Sequence, residues 1–171
     1  MQIRDEKNDA VIRRLSQFIE RKLKNERLFK HVSDGRVDYE TFTSWKPPVK
    51  SDKLTKGSIS NAVPMTLDYK EDEIISATKL LNAERCTNAF LYPPMSAMYW
   101  HTNEDSVGYR TYYTFTLDKA VFRYRDPQTG ELHEDWDDKG WTVRRFLITK
   151  ENPFWHSVWS AGRRFTFGFV S

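Results

Sequence analysis

The chain has 171 residues and a mass of 20.3 kDa, which suits one domain, 1–171, with a core of its own. Aromatic residues make up 15% of it, against the composition of a disordered chain, and a formal net charge of +3 is too small to imply a nucleic-acid partner by itself. Cys86 is the single cysteine, which excludes an intramolecular disulfide and a multi-cysteine zinc site. No apolar run approaches the roughly 20 residues of a membrane span, and MQIRDEKNDA has no signal-peptide core, so the expectation is a soluble, intracellular, cytoplasmic protein.

Charge is uneven along the chain. Residues 1–60 carry 14 Lys/Arg against 9 Asp/Glu, and the remainder 13 against 15, so any basic surface belongs to the N-terminal third. That third opens with a helix. Val11, Leu15, Phe18, Ile19 and Leu23 recur at spacings of three and four, Asn8 or Asp9 can cap the start, and Lys30 with His31 suit its C-terminal end. Residues 34–66 read as irregular, punctuated by Asp34-Gly35, Pro47-Pro48, Gly57 and Pro64, with Val37, Tyr39 and Phe42 offering one or two strands. A second helix is expected at 70–82, where Glu71, Asp72 and Glu73 crowd the first turn.

The period then changes to two. Asn88–Tyr92, Arg110–Leu117, Ala120–Tyr124, Trp141–Ile148, Trp155–Trp159 and Phe165–Val170 are short runs of Tyr, Phe, Trp, Val and Thr. Turn residues at Asp126-Pro127, Asp137–Gly140 and Ala161-Gly162 separate them, and the acidic stretch around His133 reads as a solvated loop. The fold expected is mainly β: a double-stranded β-helix (jelly-roll, cupin-like) over 86–171, with 1–85 as helical and irregular support packed outside it.

P-loop, GxGxxG, HExxH, GxSxG and CxxC motifs are all missing. Chemistry must come from two clusters. In the first, Tyr92-Pro93 precedes His101-Thr102-Asn103, and two residues apart on a strand His101 and Asn103 leave the same face. In the second, His156 and Arg164 flank the Ala161-Gly162 turn. Alternation there places Phe165, Phe167 and Phe169 on one face and Arg164, Thr166 and Gly168 on the other. If the phenylalanines pack under the helices, Arg164 points into the barrel, where a buried guanidinium needs an anion.

The order Tyr, His-x-Asn, strand, His, Arg-x-Thr resembles the Fe(II)/2-oxoglutarate-dependent dioxygenases, nearest their prolyl-hydroxylase-like branch, over roughly residues 86–171. The resemblance implies Fe(II) held by His101 and His156. It also implies 2-oxoglutarate bound by Arg164, Thr166 and Tyr92, dioxygen as oxidant, ascorbate as a supporting reductant, and hydroxylation of a substrate, with a peptidyl side chain favoured. The family's carboxylate position is Asn103 here. Three readings stay open: Asn103 is a weak amide ligand, Asp105 replaces it, or water or chloride fills the place. Two other functions compete, a non-catalytic jelly-roll used for binding or assembly, and an oxygenase acting on nucleic acid through the basic N-terminal third. Trp100, Tyr109, Tyr112, Trp136 and Trp141 are candidates for lining a substrate groove or the core.

Overall fold

A computed structural model describes residues 2–24, 36–48, 63–64, 71–102, 107–151 and 153–171. In chain order the elements are α1 (Asp9–Leu23), α2 (Tyr39–Ser44), β1 (Val63–Pro64), α3 (Asp72–Leu80), β2 (Arg85–Tyr92), β3 (Ser96–His101), β4 (Gly108–Thr116), β5 (Ala120–Arg125), β6 (Leu132–Trp136), β7 (Gly140–Ile148), β8 (His156–Ser160) and β9 (Arg164–Val170).

The strands form two antiparallel sheets, ordered β1-β2-β9-β4-β7 and β3-β8-β5-β6. From β2 onward the chain passes from one sheet to the other at every connection except the β5–β6 hairpin, which is the winding of a jelly-roll. The fold is therefore the mainly β double-stranded β-helix expected. Period two gives each strand one face for the space between the sheets and one for an outer layer.

On the outer face of the five-stranded sheet, Phe165, Phe167 and Phe169 pack with Ala89, Leu91 and Tyr113 beneath Val11, Leu15, Phe18 and Ile19 of α1 and Ile74 and Ala77 of α3. Phe18 meets Phe167 edge-on at 5.5 Å. Full burial of such an aromatic contributes roughly 2–3 kcal/mol. Asn8 caps α1 by accepting from the backbone N–H of Ala10 and Val11. Ahead of it, residues 3–5 run along the edge of β7: Asp5 N–H donates to Val143 O (3.1 Å) and Arg145 N–H to Ile3 O (2.8 Å), covering backbone that an edge strand would expose.

The outer face of the four-stranded sheet is covered by α2. Tyr39 and Phe42 were open to a strand reading, but Asp38 accepts from Thr41 N–H at 2.7 Å and caps a six-residue helix. Its Phe42 is buried with Ala97, Val121 and Trp159. A side-chain cap and one buried ring outweigh the β preference of an aromatic pair.

A second correction concerns His133. The acidic stretch contains an edge strand, β6, in which Leu132, Glu134 and Trp136 are exposed while His133 and Asp135 are half-buried. His133 stacks on Tyr124 at 5.0 Å instead of sitting in a solvated loop. His31 lies outside the described residues.

Candidate metal and cosubstrate site

Between the sheets lies an aromatic core in which Tyr112, Phe122, Tyr124, Phe146 and Phe154 are buried. Two bulges aim polar side chains into it. On β3 and β8, Met98 pairs with Val158 and His101 with His156, so three steps on one strand meet two on the other. Without that bulge, Met98 and His101 would leave opposite faces; with it both line the interior. On β2 a register shift between Cys86 and Asn88 does the same for Asn88, Phe90 and Tyr92.

His101 and His156 are direct cross-strand partners with ring centroids 4.1 Å apart. The Nδ1 of His101 lies 2.8 Å from the Tyr99 carbonyl, and the Nδ1 of His156 lies 3.0 Å from that of Phe154. A carbonyl can only accept, so each Nδ1 carries the proton and each Nε2 keeps its lone pair. Burial pushes His101 down to about 4. His156 is lowered well below the usual range by burial and then by the neighbouring His101. Both rings are thus neutral at pH 7, the state in which imidazole binds a metal, and each is oriented by a backbone carbonyl behind it.

Arg164 and Thr166 line the same cavity as the two histidines, together with Asn88, Tyr92 and Met98. Arg164 is fully buried and points inward, while Arg163 is exposed. The Arg164 Nε donates to Asp137 Oδ2 at 2.7 Å and Nη1 to Thr166 Oγ1 at 2.6 Å, with Nη2 at 3.4 Å from Thr114 Oγ1. The ring of Tyr92 lies 5.2 Å from the guanidinium, and its hydroxyl faces Met98 Sδ at 3.8 Å. Tyr92 is raised well above a normal phenol, first by burial, so it remains a neutral donor.

The two neutral imidazoles fit a divalent first-row metal, because such a pair is a common part of those sites. Among the described residues there is no cluster of three His, Cys, Asp or Glu side chains. Asn103 and Asp105, the candidate third ligands, lie outside the described residues; β3 ends at His101. The cavity measures about 20 Å³, room for one water-sized occupant. A carboxylate ligand can use the donors that Arg164 has left on Nη1 and Nη2, but it needs space. Met98, unbranched and with one weak polar contact among the described residues, is the lining side chain best able to give way.

Sequence reasoning missed three residues here. Asp137 was assigned to a turn, yet its carboxylate is fully buried between Arg164 and Arg144, the latter at 2.6 Å. Arg144, also fully buried, follows the inward period of β7 with Phe146 and Ile148, and that pattern was the available signal for a carboxylate nearby. Asn88 has its Oδ1 buried with no hydrogen-bond partner among the described residues. Of the candidate groove aromatics, Tyr112 lines the cavity and Trp100 is buried with its Nε1 toward Trp45 O. Trp141 packs on the outer core, and Tyr109 and Trp136 are exposed.

No protein-family model matches the sequence, and no curated protein matches it. The structure is similar to the crystal structure of a Pseudomonas putida prolyl-4-hydroxylase, with a TM-score of 0.52 and 16% identity over 99% of this chain and 90% of that one. At that identity the likeness establishes a shared jelly-roll fold. Among the described residues no helix is long and apolar enough to cross a membrane.

Proposed function

We propose that this chain is an Fe(II)- and 2-oxoglutarate-dependent oxygenase. The observation that carries the reading is the placement of two backbone-oriented neutral imidazoles, His101 and His156, in one cavity with the buried Arg164–Thr166 pair. The structural similarity to a prolyl-4-hydroxylase favours a peptidyl side chain as the substrate class.

In this reading His101 and His156 present Nε2 to iron, and Asn103, Asp105 or a small ligand completes the set. Bound iron with 2-oxoglutarate supplies oxidative chemistry: dioxygen is consumed, 2-oxoglutarate yields succinate and carbon dioxide, and a substrate C–H is hydroxylated. Arg164 meets the distal carboxylate, and Thr166 and Tyr92 add neutral contacts. Tyr112 and Phe122 give the cavity apolar walls, with Phe146 buried in the same cluster, so polar contacts there act in a low dielectric. The test is succinate formation from 2-oxoglutarate with iron and ascorbate, with and without a panel of proline-containing peptides. Iron-dependent succinate supports the reading; none from folded, iron-loaded protein contradicts it.

A second reading, a non-catalytic jelly-roll binding protein, is favoured by one observation: Arg164 already has a carboxylate partner in Asp137. Metal content separates the two, since only the first requires iron.

A further inference from the structure

Arg164 sits at one end of a chain of charges. Asp137 joins it to Arg144; Arg144 Nε also donates to Asp135 at 2.6 Å; and Asp135 reaches the half-exposed Arg4 at 2.8 Å. Arg144, Asp137 and Arg164 have side-chain exposures of 0%, 0% and 1%, so solvent screens none of them. The two buried guanidinium groups are balanced by the two carboxylates, and Arg4 at the solvent side also meets Asp138. A buried guanidinium waiting only for a ligand would be left uncompensated in the free protein, which is strongly unfavourable. Asp137 removes that penalty. It also changes what Arg164 offers, because a second carboxylate arriving there meets the negative charge of the first in a dry environment.

Resting on the reading that Arg164 receives the distal carboxylate of 2-oxoglutarate, we infer that Asp137 is a built-in competitor for that ligand. It keeps Arg164 buried, charged and oriented when the cavity is free, and it holds the affinity for a dicarboxylate below what a lone arginine would give. The donor count supports sharing over displacement. Asp137 takes Nε, Thr166 and Thr114 take one hydrogen each from Nη1 and Nη2, and two Nη hydrogens remain for the ligand.

The experiment compares wild type and Asp137→Asn, both loaded with Mn(II) as a redox-quiet metal, by calorimetric titration with 2-oxoglutarate and with 2-oxobutanoate, which lacks the distal carboxylate. Asp137→Asn keeps an acceptor for Arg164 but deletes the competing charge. Affinity for 2-oxoglutarate should rise about tenfold or more, equivalent to one pK unit of interaction, while that for 2-oxobutanoate stays unchanged. Equal 2-oxoglutarate affinity in the two proteins overturns the inference and leaves the oxygenase reading standing. Equal tightening for both ligands also overturns it, since the effect then does not run through Arg164. Failure of both proteins to bind 2-oxoglutarate overturns the functional reading and the inference with it. If Asp137→Asn does not fold, the Arg164 Nε–H resonance of wild type loaded with diamagnetic Zn(II) in place of Mn(II) decides. Saturating 2-oxoglutarate should shift it as the Asp137 contact is shared, and an unmoved resonance overturns the inference.

Discussion

His101 and His156 face each other across neighbouring strands with ring centroids 4.1 Å apart, each turned by the carbonyl two residues before it on the chain. Two neutral rings held this way are placed to share one cation. His101→Ala and His156→Ala should each abolish iron binding while leaving the far-ultraviolet circular dichroism of the β fold intact. Saturating Mn(II) at about 100 times its Kd should stabilise wild type by about 2.7 kcal/mol and neither variant. Thermal unfolding with and without the ion measures this. Equal stabilisation in all three proteins would remove the histidines from the metal site.

The third ligand is a question for positions 103 and 105. If Asn103 occupies a ligand position as a neutral amide, Asn103→Asp should tighten Fe(II) by supplying a charge that completes a two-histidine, one-carboxylate set. If Asp105 already serves, Asn103→Asp changes little and Asp105→Ala costs most of the affinity. Parallel iron titrations of the three proteins assign the ligand. Unchanged affinity in both variants would point to water or chloride.

Acid should act on the metal-free protein through these same rings. Unfolded histidines titrate near about 6.5, whereas burial holds His101 down to about 4, and burial, then the neighbouring His101, hold His156 well below its usual range. The folded state therefore binds fewer protons than the unfolded state below about pH 6.5. Stability is complete above that pH and is lost as pH falls toward 4, by an amount of the order of 3 kcal/mol for His101 alone. Urea unfolding at pH 7 and pH 5 should show the decline in wild type and a shallower one in the double variant His101→Asn/His156→Asn. Parallel pH profiles for the two proteins would contradict the assignment.

The charge chain predicts a graded series. Arg144→Ala leaves the fully buried Asp137 with Arg164 alone and Asp135 with the half-exposed Arg4, and should cost about 3–5 kcal/mol. Arg4→Ala removes a half-exposed contact to Asp135 and Asp138 and should cost about 1 kcal/mol or less. Chemical denaturation of both variants checks the ratio, which should collapse if Asp137 is solvated in solution.

Gly168 permits the close approach of β2 and β4 to β9. A Cβ there would collide with Asn88 Oδ1 and the ring of Tyr112. Gly168→Ala should destabilise the protein by about 1–3 kcal/mol, as overpacking does. Adding Asn88→Ala should recover part of that loss, because the two sites share the clash. Additive costs in the double variant would show that the collision is relieved elsewhere.

Much of this architecture is legible from period alone. Phe165, Phe167 and Phe169 announce an outer face and thereby send Arg164 and Thr166 inward; Val11, Leu15 and Phe18 announce the helix that covers them. What stays hidden depends on partners far away in the chain. The bulge that brings His101 in line with Met98 is a property of β3 against β8, and no local pattern encodes it. The β6 strand is masked by charge, because Asp135 is tolerated inside only through Arg144 and Arg4. Asp137 looks like one more acid in an acidic turn, and its role emerges only when β7 and β9 place two arginines around it.

The claim that the histidine pair and Arg164 form one metal and cosubstrate site meets its most direct test in an anaerobic titration. Folded protein is loaded with Fe(II), 2-oxoglutarate is added, and the metal-to-ligand charge-transfer absorption is followed. Wild type should take up one iron and develop the band; His101→Ala and His156→Ala should develop none; Arg164→Ala should need far more 2-oxoglutarate to reach it. Folded wild type that takes up no iron, or a band that survives in both histidine variants, would contradict the account.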